Sequence, residues 1–328
     1  MTQEAGDPGV AGLLFKDWTA TAMTQEGKFD NAHFLPIVLT LLIALASAGT
    51  APAQIIDDVE ELDWDRPEAW AMKYFNSVSL LTGLGPPRAR EPWSFEIGLE
   101  LDTIPSLDED QRRVGFGGAK VEDLNRLPAF FRPRLTIGLP AKWSLDLAYV
   151  PPLEVRGVKS HLFALGLERP VYSTGPWTLG IRLYGQIGEI ESDFTCSAEE
   201  ASHPPGPPDN IWGCEAPSED VVTLNYVGAA FTGGLRYRKT DFHWGLAANY
   251  MDMEFQVDAL TFGLVDRSLL LADGWTWSLN GGASWSLGGR TSLAVELFYS
   301  PLSVLRPPST STENDPLLNL RTMLRIDL

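Results

Sequence analysis

The chain has 328 residues and a formal net charge of −18, which argues against a nucleic-acid partner. That length allows one large domain or two small ones. No 18-residue apolar run occurs in the second half, which excludes a helical membrane bundle. A transmembrane β-barrel stays open, because its alternating strands average out in hydropathy.

Leu35 to Ala48 is a short apolar run, followed by Ala51-Pro52-Ala53 and Gln54. This reads as a secretory signal with an A-x-A-like cleavage site, and Ala46-Ser47-Ala48 is a second candidate. Met-Thr-Gln-Glu occurs at residues 1–4 and again at 23–26, so Met23 is the expected start. Residues 1–53 are thus expected to be a signal region. They hold five acids and two bases, so the remainder carries −15.

Residues 54–92 are expected to be a periplasmic lead-in. Asp65-Arg66-Pro67-Glu68 looks like a helix start: Asp65 caps, Glu68 reaches back, and Pro67 is harmless in the first turn. Trp70, Tyr74, Val78 and Leu81 follow at helical spacing, and Gly83 ends the run. The expectation is an amphipathic helix packed on the body of the fold, with a membrane clamp or partner-binding helix as the sharper reading. Pro86-Pro87-Arg88-Ala89-Arg90 then reads as a stiff linker.

From residue 93 onward one theme repeats. Trp275 to Leu287 sends Trp275, Trp277, Leu279, Gly281, Ala283, Trp285 and Leu287 to one face of a strand, and Thr276, Ser278, Asn280, Gly282, Ser284 and Ser286 to the other. Similar alternation marks Trp93–Asp102, Arg134–Leu139, Trp143–Val150, His161–Arg169, Trp177–Ile190, Val221–Arg238, His243–Gln256, Thr291–Ser300 and Leu317–Leu328. That makes ten strands. The alternation slips near Gly233-Gly234, where a bulge is expected. Tight turns after residues 139, 172, 238 and 287 alternate with five longer connections. An even strand number places both termini on the short-turn side, which for an outer-membrane barrel is the periplasm.

Trp93, Trp143, Trp177, Trp244 and Trp285 fall near the short-turn rim, and Tyr149, Tyr250 and Tyr299 near the long-loop end. Two aromatic belts suit two membrane interfaces. On some strands only six residues separate them, which is short for an apolar band of about 25 Å.

Residues 93–328 resemble the small outer-membrane β-barrel proteins of Gram-negative bacteria. The resemblance is architectural and matches no one family. The last strand resembles their C-terminal assembly signal but ends in Leu328, where an aromatic residue is usual. The resemblance implies an all-β, transmembrane, antiparallel up-and-down barrel in the outer membrane, with long loops extracellular and the N-terminus periplasmic. The implied partners are outer-membrane lipid, lipopolysaccharide and the barrel-assembly machinery.

Glu96, Glu100, Arg134, Asp146, Arg182, Glu296, Arg321 and Arg325 are expected to point into the lumen. Buried charges persist only when paired, so the first expectation is a salt-bridge network that plugs the barrel. A narrow charged pathway for a small solute is the alternative. Cys196 and Cys214 are an even pair in a secreted chain and are expected to form a disulfide. The acidic runs Asp108-Glu109-Asp110 and Glu122-Asp123 lack calcium-loop spacing, and no Cys/His metal pattern or phosphate-binding glycine loop occurs. No cofactor or metal is expected. His161, His203 and His243 match no catalytic motif, and Ser160 and His161 point to opposite faces. The expected role is non-enzymatic, a small pore or a structural surface protein. An outer-membrane barrel enzyme and a soluble secreted β-sandwich are the alternatives.

Overall fold

The computed structural model describes residues 54–328; the expected signal region and the alternative start at Met23 lie outside the described residues. Ten strands form the wall: β1 Phe95–Thr103, β2 Ala129–Gly138, β3 Ser144–Val150, β4 Val158–Thr174, β5 Trp177–Ser192, β6 Asp220–Tyr237, β7 Thr240–Gln256, β8 Leu269–Gly288, β9 Thr291–Ser300 and β10 Leu317–Asp327. Each pairs antiparallel with the next, and β10 pairs with β1 through Arg321↔Asp102 to Asp327↔Glu96. The sheet closes on itself, so no strand edge is left unpaired. The chain is a closed, ten-stranded, antiparallel up-and-down β-barrel.

The burial pattern of β1 alternates at every residue from Phe95 to Thr103. In β8, Trp275, Trp277 and Leu279 are exposed on the outside, whereas Thr276 and Ser278 are buried inside. The greasy face is therefore the outer face of a barrel, not the core of a sandwich. The expected bulge at Gly233-Gly234 is absent, and the ladder is regular on both sides. These glycines instead make room. A side chain at Gly233 would meet the Trp244 ring, and one at Gly234 would meet Pro86.

The main departure from expectation is the N-terminal segment. Gln54–Ile56 pairs with Leu264–Asp266 in a long connection, and Val59–Glu61 pairs in parallel with Leu269–Leu271 at the long-loop end of β8. The C-terminus lies at the opposite rim, where Leu328 N donates to Phe95 O. Between these ends helix α1, Pro67–Ser79, and the extended residues 80–87 run down the lumen. The lead-in therefore does not pack beneath the barrel from the short-turn side. It threads the barrel from the long-loop side.

Room for it comes from small inward residues. Ala148, Ala164, Ala247, Ala272 and Ala294 are buried on the inner face, and side chains at Gly166, Gly180 and Gly234 would meet Leu81, Pro87 and Pro86 of the threaded segment. The helix also starts differently from expectation. Arg66 is the N-cap and makes no side-chain cap bond, and Glu68 pairs with Arg66 at 3.2 Å and accepts from Gly117 N. The helix stops at Ser79, before Gly83, because arginines of the wall take over its last carbonyls.

Candidate functional site: the threaded lumen

The acids of β1 lie at alternate inward positions, flanked on both sides by arginines. Glu100 accepts from Arg132 Nε (2.7 Å) and Nη2 (3.1 Å), and from Arg134 Nε (2.6 Å) and Nη2 (2.5 Å). Glu96 lies 2.8 Å from Arg90 and 3.5 Å from Arg325. Asp102 lies 3.8 Å from Arg321 Nε and makes no hydrogen bond. Carboxylates so placed offset the charge of guanidinium groups that could not be buried alone.

The arginines use their remaining donors on the threaded segment. Arg321 Nη1 donates to Leu80 O (2.6 Å), and its Nη2 donates to Ser77 O (3.0 Å) and Val78 O (3.2 Å). Arg132 Nη1 donates to Ser79 O at 2.7 Å, and Arg134 Nη1 to Thr82 O at 2.6 Å. Arg325 Nη2 donates to Gly83 O at 3.1 Å and to Leu84 O. The last carbonyls of a helix lack intrahelical partners and carry partial negative charge. Four cations at that end satisfy both needs and continue along the extended residues.

The opposite wall adds weaker contacts. Thr82 Oγ1 donates to Glu296 at 2.6 Å, and Glu296 also accepts from Asn280 Nδ2 at 2.6 Å and faces His243 Nε2 at 3.2 Å. Leu81 N donates to Tyr226 Oη at 2.9 Å. Asp146 pairs with Arg182 at 2.6 Å, below the helix. All eight sequence-predicted lumen residues are thus buried inside the barrel. Six contact the threaded segment or a partner that does, and Asp146 with Arg182 forms a separate pair.

Four partners escaped the sequence reading. Arg132 lay just before the expected start of its strand, and Asp102 and Glu168, a buried acid that accepts from Thr232 Oγ1 at 3.4 Å, were in alternation but unweighed. His243, noted in the sequence only as matching no catalytic motif, is inward and 4 % exposed. The signal that would have found the guest is the run of inward Ala and Gly. The charge network alone does not fill the lumen; a helix and an extended segment do.

At the long-loop end the segment is capped by loops. Trp70 Nε1 donates to Asp315 O at 3.0 Å, and the Arg306 guanidinium lies 4.7 Å over the Trp70 ring. Tyr74 Oη donates to Pro105 O at 2.7 Å, and Lys73 Nζ to Ser303 O at 3.1 Å. Cys196 and Cys214 are bonded, with Cα atoms 5.6 Å apart. Glu122 sits beside Lys120 at 3.2 Å, and burial pushes its carboxyl up to about 8. Asp108 caps a short helix of the first long loop, Glu109–Arg112. Among the described residues no group of acids, histidines and cysteines is arranged to hold a metal ion.

On the outer face, Tyr149 meets His161 at 5.7 Å, Tyr250 meets Trp275 at 5.5 Å, and Tyr299 meets Trp277 at 6.0 Å between ring centroids. Trp285 lies ten positions beyond Trp275 on β8. At about 3.4 Å per residue and a tilt of about 40°, that separation is roughly 26 Å along the barrel axis. Near the other rim, Phe231 meets Trp244 at 5.5 Å and Arg169 lies over Trp143 at 5.5 Å. Trp93 and Trp177 are exposed there. The three described histidines do not converge: His161 faces outward, His203 lies in the disulfide loop beside Glu199 O, and His243 lies under the threaded segment.

The architecture is that of the outer-membrane β-barrels. The chain is similar in structure to the outer membrane protease OmpT of Escherichia coli, at 9 % identity and a TM-score of 0.36, over 72 % of this chain and 94 % of that one. It is similar to Ail, the attachment invasion locus protein of Yersinia pestis, at 10 % identity and 0.26, over 72 % and 99 %. It is similar to the Pseudomonas putida toluene transporter TodX at 12 % and 0.33, over 83 % and 77 %. No family model and no curated protein matches the sequence. At these identities and TM-scores a functional reading rests on this chain's own residues.

Proposed function

We propose that this chain is an integral outer-membrane barrel closed by its own N-terminal segment, a structural surface protein and not an open pore. The observation that carries the reading is the hold of Arg132, Arg134, Arg321 and Arg325 on the carbonyls of Ser77 to Leu84. Those arginines are buried with their carboxylates, so the segment cannot leave without stripping charged groups of their hydrogen bonds. Helix and wall together occupy the cross-section through which ions would pass.

The outer face supports the membrane placement. Phe242, Trp244 and Leu246 on β7, and Ile181, Leu183 and Ile187 on β5, are exposed and apolar. A monomer in water rarely leaves so continuous an apolar band uncovered. Beyond that band β7 carries outward Asp252 and Glu254, β5 carries Glu189 and β8 carries Asp273. Such charges are costly in hydrocarbon. The tall strands β4 to β8 thus project beyond the band on the long-loop side, which supports long loops facing outward. Residues 54–61 then lie on the outer surface beside the disulfide loop. The partners implied are outer-membrane lipid, lipopolysaccharide at the outward rim, and the barrel-assembly machinery.

Purified protein in a planar bilayer tests the closed state. The expected record is flat, and a variant with residues 67–87 replaced by a glycine-serine linker gives ohmic steps. Steady conductance from the intact protein contradicts the reading. Orientation is tested by Asp58→Cys in whole cells: a membrane-impermeant maleimide labels it if residues 54–61 lie outside, and leaves it unlabelled if they face the periplasm.

A further inference from the structure

At the long-loop end four segments meet around a cleft of about 190 Å³. They are residues 58–60 beside β8, the start of α1, the first long loop from Gly115 to Glu122, and the β7–β8 connection. Five acids line the cleft, Asp58, Glu60, Glu68, Glu122 and Asp266, against one cation, Arg66. Arg66 pairs with Glu60 and Glu68, both at 3.2 Å. Asp58 and Asp266 sit on neighbouring paired segments and have no cation partner among the described residues. The nearby Arg267 turns to Asp258 instead. Like charges so placed repel unless a cation joins them.

Glu122 is 8 % exposed. Its Oε2 lies 3.2 Å from Lys120. No hydrogen bond from the described residues reaches its Oε1, which faces Gly115 so closely that a side chain there would collide. Gly115 itself lines the cleft. The open oxygen of a buried acid is thus turned toward the space, and buried acceptors are almost always satisfied. Burial raises this carboxyl to about 8 against the pull of Lys120, and Asp220 and Glu200 add to the rise.

Phe116 and Phe255 line the same space, and the Phe116 ring stacks on Trp212 at 4.9 Å. Among the described residues these acids form no group that could hold a metal ion. Spread carboxylates beside aromatic faces suit an organic cation with separated charges. Drug-sized sites hold about 300–1,000 Å³, so a cleft of about 190 Å³ takes a smaller molecule.

We infer that this cleft binds a small aliphatic polyamine, with one ammonium donating to Glu122 Oε1, another held by Asp58 and Asp266, and the methylenes along Phe116 and Phe255. The molecule supplies the donor that Glu122 lacks and the charge that the two aspartates lack.

The test is calorimetric titration of the full protein in detergent micelles with 1,5-diaminopentane at pH 7, in physiological salt that screens the general acidic surface. One saturable site per chain is expected. Repeating the titration in a second buffer of different ionisation enthalpy should show roughly one proton released per diamine, because a bound ammonium favours ionised Glu122. Pentan-1-ol, which has the chain without the charge, should give no saturable heat. Glu122→Gln should weaken the diamine about tenfold or more, as loss of a charge-assisted hydrogen bond does, and should abolish the proton release. Asp58→Asn, on an exposed segment, should weaken it about two- to fivefold with the proton release kept. Absence of a saturable site overturns the inference. So does affinity that neither variant changes, which means general attraction by an acidic surface, and so does displacement by equimolar magnesium, which means a metal site.

Discussion

Replacing Glu100 with Gln removes the carboxylate shared by two buried guanidinium groups while keeping the side-chain volume. The structure shows four hydrogen bonds of 2.5 to 3.1 Å from Arg132 and Arg134 to this one group. After the substitution both arginines remain buried without their main counter-charge, since the Arg132 and Arg134 side chains are 1 % and 2 % exposed. Breaking a buried pair in this one-sided way costs about 3–5 kcal/mol. For a barrel of this size each kcal/mol shifts the midpoint by about 2–4 °C, so the transition should fall by roughly 6–20 °C. The assay is the temperature at which the compact band is lost on an SDS gel. A triple variant, Glu100→Leu with Arg132→Met and Arg134→Met, removes the charges together. It should recover most of that temperature, because replacing a buried ionic cluster by apolar groups of similar volume is close to neutral. The same variant frees the carbonyls of Ser79 and Thr82, so it should conduct intermittently where the wild type is flat. An unchanged midpoint for Glu100→Gln would refute the reasoning, because it would mean that water already solvates this cluster.

Two further predictions concern the guest and the loops. Gly234→Val places a side chain against Pro86; it should loosen the threaded segment by about 1–3 kcal/mol through overpacking, read as the onset of conductance with the SDS-resistant barrel retained. At Glu122 the burial-raised carboxyl, at about 8, keeps its proton in the folded loop, whereas the unfolded chain releases it near the ordinary value of 4.5. The unfolded state thus binds fewer protons between those values, so local stability is full below pH 4.5 and falls as pH rises through 8. The protection factors of amides 115–122, taken against the intrinsic exchange rate at each pH, should be lower at pH 9 than at pH 6, and Glu122→Gln should remove that difference.

The wall was legible in the sequence because a barrel strand repeats every two residues, and each of the ten strands carries that period on its own. Turn length was legible for the same local reason. The inward charges followed from the alternation once the outer face was known. The threaded segment was not legible, and the cause is physical. Arg321, Arg132, Arg134 and Arg325 bind backbone carbonyls, and a carbonyl is the same at every residue. No side-chain pattern in 77–84 announces that it will be held. The helix itself, with Trp70, Tyr74 and Val78 on one stripe, read as an element packed against something. Its surroundings were misassigned because counting strands gives the rim where β1 begins, not the rim from which the chain arrived. The inward Ala148, Ala164, Ala247, Ala272 and Ala294 carried the missing information, since a ten-stranded barrel lined by such small side chains leaves space that must be filled.

A designed cross-link tests the threaded lumen most directly. Ser77 Oγ in the helix and Ser300 Oγ on β9 lie 3.3 Å apart, across a sequence separation of 223. In the variant Ser77→Cys with Ser300→Cys, peptide mapping under non-reducing conditions should recover a disulfide joining the two segments, beside the native Cys196–Cys214 bond, in protein taken from membranes without added oxidant. Free thiols at both positions, with the native disulfide intact, would mean that the helix does not lie inside the barrel and would contradict the account.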